Sequence, residues 1–410
     1  MPLCLPSLDL DQAYARVVTL LAEARDVVLE RGHGADGARW PVQRGWRDYL
    51  LGLSEDELER ADTQGIAAWF RSDPRCPASL SRLAERTLAV TASVPLASGD
   101  VSPVDFPFMN GRKRGQVAAV LHLLREAFAG LSEIVDVGAG RGQLTARAAS
   151  ALSVPALGLE KDPERVAVAR ALAGDLPVRF VAADVLSTDN PLSSLPVQPH
   201  RLLMALHGCG ELGDALVTAA VKTKAAVLLL ACCPQKIRGT RRPPLVAGGP
   251  EFPRDVLGLA NVFARVQGVE NDLRQALATK ETRLALRCLL AARGIELAPG
   301  EDMRGVNRRK VNAGLAAFAS AVCQLRGLTA PSADELAAAA GRAHANYLAQ
   351  RRLSLPRSML GRALEVFLAL DRALFLQRHG YHARVVELFP AAHSPRNLAV
   401  WGQAGESTRD

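Results

Sequence analysis

The stretch EIVDVGAGRGQLTARAASAL, residues 133–152, decides the fold. A short β-type run, residues 133–137, leads into Gly138, Gly140 and Gly142, and a helical segment follows. Such a loop lets backbone N–H groups approach a ligand closely, because no Cβ stands in the way. The stretch therefore predicts a strand, a ligand-binding turn and a helix that open a layered α/β sheet.

The same alternation of β-type and helical runs continues along the chain. Four more β-type runs are separated by helical segments: residues 155–160, 177–184, 201–207 and 225–233. Five such strands predict a parallel, doubly wound sheet, and apolar runs without alternation suit strands covered on both faces. Two last β-type runs, 381–390 and 396–402, are predicted to form a hairpin that completes this sheet.

The remaining sequence is mainly helical by its amphipathic periodicity. The resulting fold class is α/β, a Rossmann-like seven-stranded sheet with a helical N-terminal region and a helical insertion before the last two strands. Four segments are predicted: a helical N-terminal region (1–105), a cofactor-binding core (106–234), a substrate-side helical insertion (235–378) and a terminal β-hairpin (379–410).

Composition narrows the class of protein. Of 410 residues, 49% are hydrophobic, which is ample for a large core and argues against disorder. The sequence has no apolar stretch of membrane-spanning length, no basic leader before an apolar segment, and seven irregularly spaced cysteines. These features predict a cytoplasmic protein without a membrane partner. The net charge is +8, and the sequence is rich in arginine and alanine, a bias typical of a GC-rich, bacterial genome. The charge by itself is therefore weak evidence for a nucleic-acid partner.

The glycine loop departs from the dinucleotide fingerprint, because its third glycine comes one residue early. Asp136 stands two residues before Gly138, which gives the form Asp-x-Gly-x-Gly-x-Gly. This form resembles the first motif of the class I S-adenosylmethionine-dependent methyltransferases. The resemblance implies that S-adenosylmethionine is the cofactor, that Gly138, Gly140 and Gly142 bind it, and that Asp136 orders the loop.

Two further acids end the second and third predicted strands. On the same resemblance, Glu160 accepts hydrogen bonds from the ribose hydroxyls and Asp184 accepts one from the adenine amino group. Either acid alone could serve only as the cap of a turn or helix. The ordered set of glycine loop, Glu160 and Asp184 favours cofactor binding.

A second group of motifs points to a narrower family. LHGCG (206–210) ends the fourth strand, ACCPQK (231–236) follows the fifth, and NGRKRGQV (110–117) precedes the glycine loop. Together they resemble the methyltransferase-domain family with a Leu-His-x-Cys-Gly motif on the fourth strand. That family includes tRNA acceptor-stem 2′-O-methyltransferases, glutathione S-transferase C-terminal domain-containing proteins and methyltransferase-like proteins.

This sequence departs from the tRNA enzymes in two respects. Pro234, Gln235 and Lys236 follow the paired cysteines, where those enzymes can carry paired histidines. Their N-terminal cysteine/histidine zinc module has no counterpart in the sequence. The resemblance therefore does not imply that this protein acts on tRNA.

The carboxyl ends of the fourth and fifth strands should meet, because the two strands are neighbours in this fold. His207 is expected there as a catalytic proton acceptor or as a residue that orients the methyl acceptor. Packing with a backbone hydrogen bond is the open alternative for His207. Consecutive Cys232 and Cys233 are not expected to point into one tetrahedral site with Cys209, so no metal is predicted.

Three basic clusters flank the predicted pocket in sequence, at 111–114, 236–242 and 304–310. If they converge they form a groove suited to RNA phosphates, although few aromatic residues lie nearby for base stacking. Proteins and small molecules also remain open as methyl acceptors, as does a cofactor-binding module that recognises a partner without methyl transfer. The predicted substrate-side residues are Arg112, Lys113, Cys209, Lys236, Arg238, Arg241 and Arg242.

Overall fold

The structure is a computed structural model that describes residues 8–31, 38–97, 111–128, 130–188, 190–261, 270–298, 300–391 and 393–405. The described residues divide into two compact units. The first unit draws on Met1–Val28, Glu85–Ala264 and Met359–Asp410, and the second on Leu29–Ala84 and Arg265–Ser358.

The strands of the described chain, in order, are β1 (Glu133–Val137), β2 (Ala156–Glu160), β3 (Val178–Ala182), β4 (Arg201–Leu206), β5 (Ala226–Leu230), β6 (Arg241–Arg242), β7 (Phe252–Pro253), β8 (Tyr381–Glu387) and β9 (Leu398–Ala404). The first helices are α1 (Leu10–Glu23), α2 (Arg25–Leu29), α3 (Trp40–Gln43), α4 (Arg47–Leu51), α5 (Glu55–Gln64), α6 (Ile66–Ser72), α7 (Ala78–Ala92), α8 (Gly111–Ala127) and α9 (Gln143–Leu152). The later helices are α10 (Pro163–Ala173), α11 (Glu211–Thr223), α12 (Arg254–Leu257), α13 (Glu270–Ala292), α14 (Arg308–Asn312), α15 (Leu315–Leu325), α16 (Ala333–Met359) and α17 (Gly361–Arg378), with a 3₁₀ turn at Glu301–Met303.

Seven of the described strands form one sheet in the order β3-β2-β1-β4-β5-β9-β8. The first five are parallel, whereas β9 runs antiparallel to both β5 and β8. The predicted α/β class, a Rossmann-like seven-stranded sheet, is confirmed, and the last two strands complete it as expected. The chain winds outward from β1 to β3 and then returns to β4. Ligands bind in open α/β sheets at such a reversal, outside the carboxyl ends of the strands, here between β1 and β4.

Both faces of the sheet are covered within the first unit, which explains its apolar strands. One face packs against α8 and α9 in a core that includes Phe128, Ile134, Leu228 and Trp401. Helix α17 packs against β8, β9, α1 and α11, and nearly every residue along it is buried. A helix that is buried on every side needs partners within the protein for its charged side chains, because water does not reach them.

The second unit is built from helices, with a core that includes Leu286, Leu290 and Phe318. Helix α5 begins with a capping box, in which Ser54 and Glu57 exchange side-chain and backbone hydrogen bonds. No helix in the described part of the chain is long and apolar enough to cross a membrane.

The segments predicted at 1–105 and 235–378 each contribute described residues to both compact units. Amphipathic helices have the same periodicity whichever core they face, so the pattern does not show where the chain leaves one unit and re-enters it. The division into four segments stays a prediction about the order of regions along the chain.

A buried ion network ties α17 to the carboxyl end of β4. Arg372 of α17 donates to Asp214 of α11 at 2.9 Å and to the carbonyl oxygen of Gly210 at 3.0 Å. Arg242 donates to Asp214 at 2.8 Å and to Asp371 at 2.9 Å. Asp371 is fully buried and also accepts the backbone N–H groups of residues 245 and 246. Each buried charge therefore has an opposite charge as its hydrogen-bond partner, which such burial requires.

We expect Asp214→Asn to destabilise the first unit by about 3 kcal/mol, because it leaves two buried guanidinium groups short of a negative charge. Burial by itself raises the pKa of Asp214, but Arg372 and Arg242 outweigh it and hold the pKa below its usual 3.8. The contribution is therefore complete above pH 3.8 and is lost as the pH falls through the lower folded-state pKa.

Hydrogen exchange of β4 and β5 amides at neutral pH would measure this loss in the first unit alone. Asp48→Asn is the matched control, since that side chain is 98% exposed, and it should leave exchange unchanged. Equal exchange in wild type and Asp214→Asn would contradict the assigned role of the network.

Candidate functional site

The glycine loop connects β1 to α9 at the carboxyl edge of the sheet. Gly138, Gly140 and Gly142 all have positive φ, at 77°, 59° and 74°. A Cβ on Gly142 would lie 2.4 Å from Cζ of Phe180, so the turn packs too closely for any side chain there. Among the described residues no side chain caps α9 at Gly142, so its first-turn N–H groups remain available to a polar ligand.

Asp136 lies beneath this loop and is only 2% exposed. Its Oδ2 accepts the hydroxyl hydrogen of Thr145 at 2.6 Å, which fastens the first turn of α9 to β1. Burial raises the pKa of Asp136 to about 6, while the Thr145 hydrogen bond lowers it and the Glu160 carboxylate raises it further. The structure thus places Asp136 where it can order the loop and where a bound ligand would not contact it.

Glu160 ends β2 with its carboxylate against the loop. One oxygen accepts the N–H of Gly140 at 2.9 Å and the other accepts the N–H of Asp162 at 3.2 Å. A carboxylate offers about four acceptor positions, so capacity for ligand hydroxyls remains. Asp184 is exposed after β3, and its Oδ1 accepts the N–H of Leu186 at 2.9 Å, so it also stabilises a turn.

The glycines of LHGCG are required by close packing between the loops after β4 and β5. A Cβ on Gly208 would lie 2.6 Å from Cδ1 of Leu229, and one on Gly210 would lie 2.1 Å from the carbonyl oxygen of Lys236. Gly210 also has a φ of 54°. The two loops can therefore meet only where neither has a side chain between them.

His207 lies at the rim of this junction with a left-handed backbone, at φ 71°. This conformation is uncommon for a residue other than glycine and is found often at functional sites. The N–H groups of His207 and Gly208 both donate to the carbonyl oxygen of Leu230, at 2.8 and 3.1 Å. Within the described residues the imidazole has no hydrogen bond, and it reaches solvent.

The protonation of His207 depends on its neighbours. Partial burial lowers the pKa of the imidazole below 6.5, Cys209 raises it, and the positive charges of Lys113 and Lys236 lower it. A lowered pKa keeps the ring neutral at neutral pH, the form that can accept a proton. Lys113 comes from the first basic cluster and Lys236 from the second, so the fold brings both clusters near this histidine.

The three cysteines lie close together, as the neighbouring fourth and fifth strands predicted. The sulfur atoms of Cys209, Cys232 and Cys233 lie within 4.8 Å of one another. The expectation that Cys232 and Cys233 do not both bind one tetrahedral metal ion stays a prediction. The turn after β5 curls around the loop after β4, with Lys236 N–H donating to the Cys233 carbonyl oxygen, and this curl turns both thiols toward Cys209.

The predicted substrate-side arginines differ in their surroundings. Arg238 is exposed and paired with Glu211 at 2.7 Å, and it also donates to the carbonyl oxygen of Leu186. Arg241 is exposed and paired with Glu251 at 3.1 Å. The side chain of Arg112 lies outside the described part of the chain.

The prediction that Arg242, in the second basic cluster, faces the substrate is wrong. It is only 3% exposed and its guanidinium donates to Asp214 and Asp371, so it contacts the interior and not a substrate. Sequence reasoning missed the role of Arg372 and Asp371, whose signal is a charged pair inside the otherwise apolar run VFLALDRALFL at 366–376.

A protein-family model matches residues 112–240. That model describes a methyltransferase domain. The match covers the loops after β1, β2, β3, β4 and β5, and thus the whole carboxyl edge described above.

Three solved structures with partial similarity to this chain are methyltransferases. The sugar N-methyltransferase KedS8 from Streptoalloteichus sp. is 18% identical over 36% of this chain and 64% of its own, with a TM-score of 0.23. A TehB-like SAM-dependent methyltransferase from Corynebacterium glutamicum is 16% identical over 37% of this chain and 72% of its own, with a TM-score of 0.21. The plantazolicin methyltransferase BpumL, in complex with SAH, is 13% identical over 43% of this chain and 62% of its own, with a TM-score of 0.22. The chain thus spans under two thirds of two of these structures.

We expect Gly210→Ala to destabilise the first unit by roughly 2 kcal/mol more than Gly174→Ala. Gly174 has nearly the same backbone conformation, with φ 54° and ψ −133° against 54° and −122° at Gly210, but a Cβ there meets nothing within 4 Å. The pair separates the steric contact with Lys236 from backbone strain. Thermal unfolding of both variants measures the difference, and equal losses would show that the contact relaxes without cost.

Proposed function

We propose that this protein is an S-adenosylmethionine-dependent methyltransferase. The observation that carries the proposal is the arrangement at the point where the strand order reverses. The glycine loop with Glu160 lies on the β1 side, and His207 with its neighbouring lysines lies on the β4 side. The match of residues 112–240 to a methyltransferase domain supports the same reaction.

Residues of the loops after β1, β2 and β3 would hold the cofactor. The positive-φ glycines have no side chain to keep a ligand away from the loop backbone, Glu160 retains acceptor capacity for ribose hydroxyls, and Asp184 has a carboxylate at the surface suited to the adenine amino group. The cofactor, when bound, supplies an electrophilic methyl group. The chain itself has to position the acceptor and remove its proton.

His207 is our candidate for that proton transfer. Its ring is neutral at neutral pH, is not engaged by another described residue, and is held in place by a strained backbone that is bonded to β5. A neutral imidazole at this edge can accept the proton of a hydroxyl or amine as the methyl group arrives.

RNA is our proposed methyl acceptor. Lys113 and Lys236 place positive charge beside His207, and both side chains are exposed. Exposed lysines around a catalytic edge attract a phosphate backbone, which every RNA carries whatever its sequence. The third basic cluster includes exposed Arg304, Arg309 and Lys310 in the second unit.

We expect Glu160→Ala to weaken S-adenosylmethionine binding by about 10- to 100-fold, because hydrogen bonds to a charged group are worth roughly 1.5–3 kcal/mol. Asp184→Asn should cost less, since that carboxylate is exposed to water. Isothermal titration calorimetry with S-adenosylmethionine measures both. Unchanged affinity in Glu160→Ala and Asp184→Asn would refute the cofactor site.

We expect His207→Gln to retain cofactor affinity and to lower turnover by about 10²-fold, as for loss of a general base. In wild type the rate should rise as the imidazole loses its proton, reach half its maximum below pH 6.5, and stay level above. This rise of the rate with pH should be absent from His207→Gln. Cofactor binding without turnover on any RNA, protein or metabolite would favour a binding module instead.

We expect the double variant Lys113→Gln/Lys236→Gln to flatten the salt dependence of RNA binding by roughly 1.4 to 1.8 in log–log slope, as for two lost phosphate contacts. Lys222→Gln/Lys224→Gln is the matched control. It removes the same charge from the end of α11 that precedes β5, at the opposite edge of the sheet. Equal slopes in all three proteins would argue for a protein or small-molecule acceptor.

A further inference from the structure

The cysteine cluster at the junction of β4 and β5 has no assigned step in the methyl transfer proposed above. Cys209 is buried, whereas Cys232 and Cys233 are half-buried and closer to solvent. The sulfur atoms of Cys209 and Cys232 lie 2.7 Å apart, whereas those of Cys232 and Cys233 lie 3.5 Å apart. A disulfide bond is about 2.05 Å long, so only a small movement separates Cys209 and Cys232 from bonding distance.

Hydrogen bonds stabilise the anionic form of one of these two thiols. The Cys232 thiol donates to Cys209 and lowers the pKa of Cys209, burial opposes this, and the backbone N–H groups of Cys232 and Cys233 with the charge of Lys236 add to the lowering. The pKa of Cys232 is raised, chiefly by the same contact with Cys209. Before ionisation, the Cys209 thiol donates to the His207 carbonyl oxygen, 2.9 Å away. The pair therefore combines a stabilised thiolate with an adjacent thiol.

The spacing fits a disulfide better than a metal centre. Zinc–sulfur bonds of about 2.3 Å place two thiolates of one tetrahedral site roughly 3.8 Å apart. The 2.7 Å between Cys209 and Cys232 is shorter, so a zinc ion would have to push them apart. The cluster in the described residues also offers three ligands, one fewer than a closed structural zinc site requires.

We propose that Cys209 and Cys232 form a redox-active pair that reduces a peroxide and becomes a reversible disulfide. The Cys209 thiolate attacks one peroxide oxygen and the O–O bond breaks, which gives a sulfenic acid at Cys209 and, after protonation, water from hydrogen peroxide. The Cys232 sulfur then attacks the Cys209 sulfur, and the S–O bond breaks to release a second water. Two thiols are oxidised as one peroxide is reduced, and a small dithiol restores both by exchange.

The test uses the full-length, fully reduced protein and hydrogen peroxide. After brief exposure, free thiols are blocked with N-ethylmaleimide and the chain is mapped by mass spectrometry without reduction. We expect a Cys209–Cys232 linked peptide that disappears after treatment with dithiothreitol. Cys76 is the internal reference, because burial raises its pKa to about 11, and its oxidation should be at least about 10-fold slower.

Variants of the two neighbouring cysteines distinguish the pair from its surroundings. Cys233→Ser should still form the linked peptide, because Cys233 is not a partner in the bond. Cys232→Ser should lose it and accumulate a sulfenic acid at Cys209, which dimedone traps. Both results are read from the map and do not depend on methyl transfer.

Three results would overturn the proposal. The first is no linked peptide in wild type when Cys76 is already oxidised. The second is a predominant Cys209–Cys233 or Cys232–Cys233 link. The third is stoichiometric zinc in the purified protein that is lost in Cys232→Ser and that protects the thiols from peroxide.

Discussion

Arg372 is the side chain on which the geometry of the candidate site most depends. Its guanidinium holds the Gly210 carbonyl oxygen and Asp214 together, so it fixes the turn that carries His207 and the start of α11 at once. Asp371, beside it, holds Arg242 and the backbone after β6. Because these charges are buried, releasing any one of them leaves another without a partner, and the network acts as a unit.

This network explains how loops can hold the candidate site in a defined geometry. The loops after β4 and β5 touch along Gly210 and the Lys236 carbonyl oxygen, where no side chain fits. Close backbone contact gives His207 a defined position although its ring has no hydrogen bond within the described residues. The same contact brings the basic residues of two distant segments, Lys113 and Lys236, to one histidine.

The sequence predicted the sheet well because buried parallel strands have a strong local signal. All five parallel strands and the final hairpin lie where the apolar runs predicted them. The positions of His207 and Cys209 followed from strand neighbours. The buried position of Arg242 could not be predicted in this way. A basic cluster on a loop has the same sequence whether its members face solvent or a buried aspartate 129 residues further on. The approach of Cys232 and Cys233 to Cys209 depends on how the turn after β5 curls, which no periodicity encodes.

The antiparallel pairing of β5 with β9 links folding to protein synthesis. β5 is an apolar strand whose hydrogen-bonding edge is closed by residues 399–402, which a ribosome adds only after the whole stretch of helices that separates them. Arg372 and Asp371 also arrive late, so Asp214 lacks Arg372 and Arg242 lacks Asp371 over the same interval. A nascent chain would therefore expose an unpaired strand edge, the kind of surface that aggregates or recruits chaperones, until residues 399–402 have been synthesised.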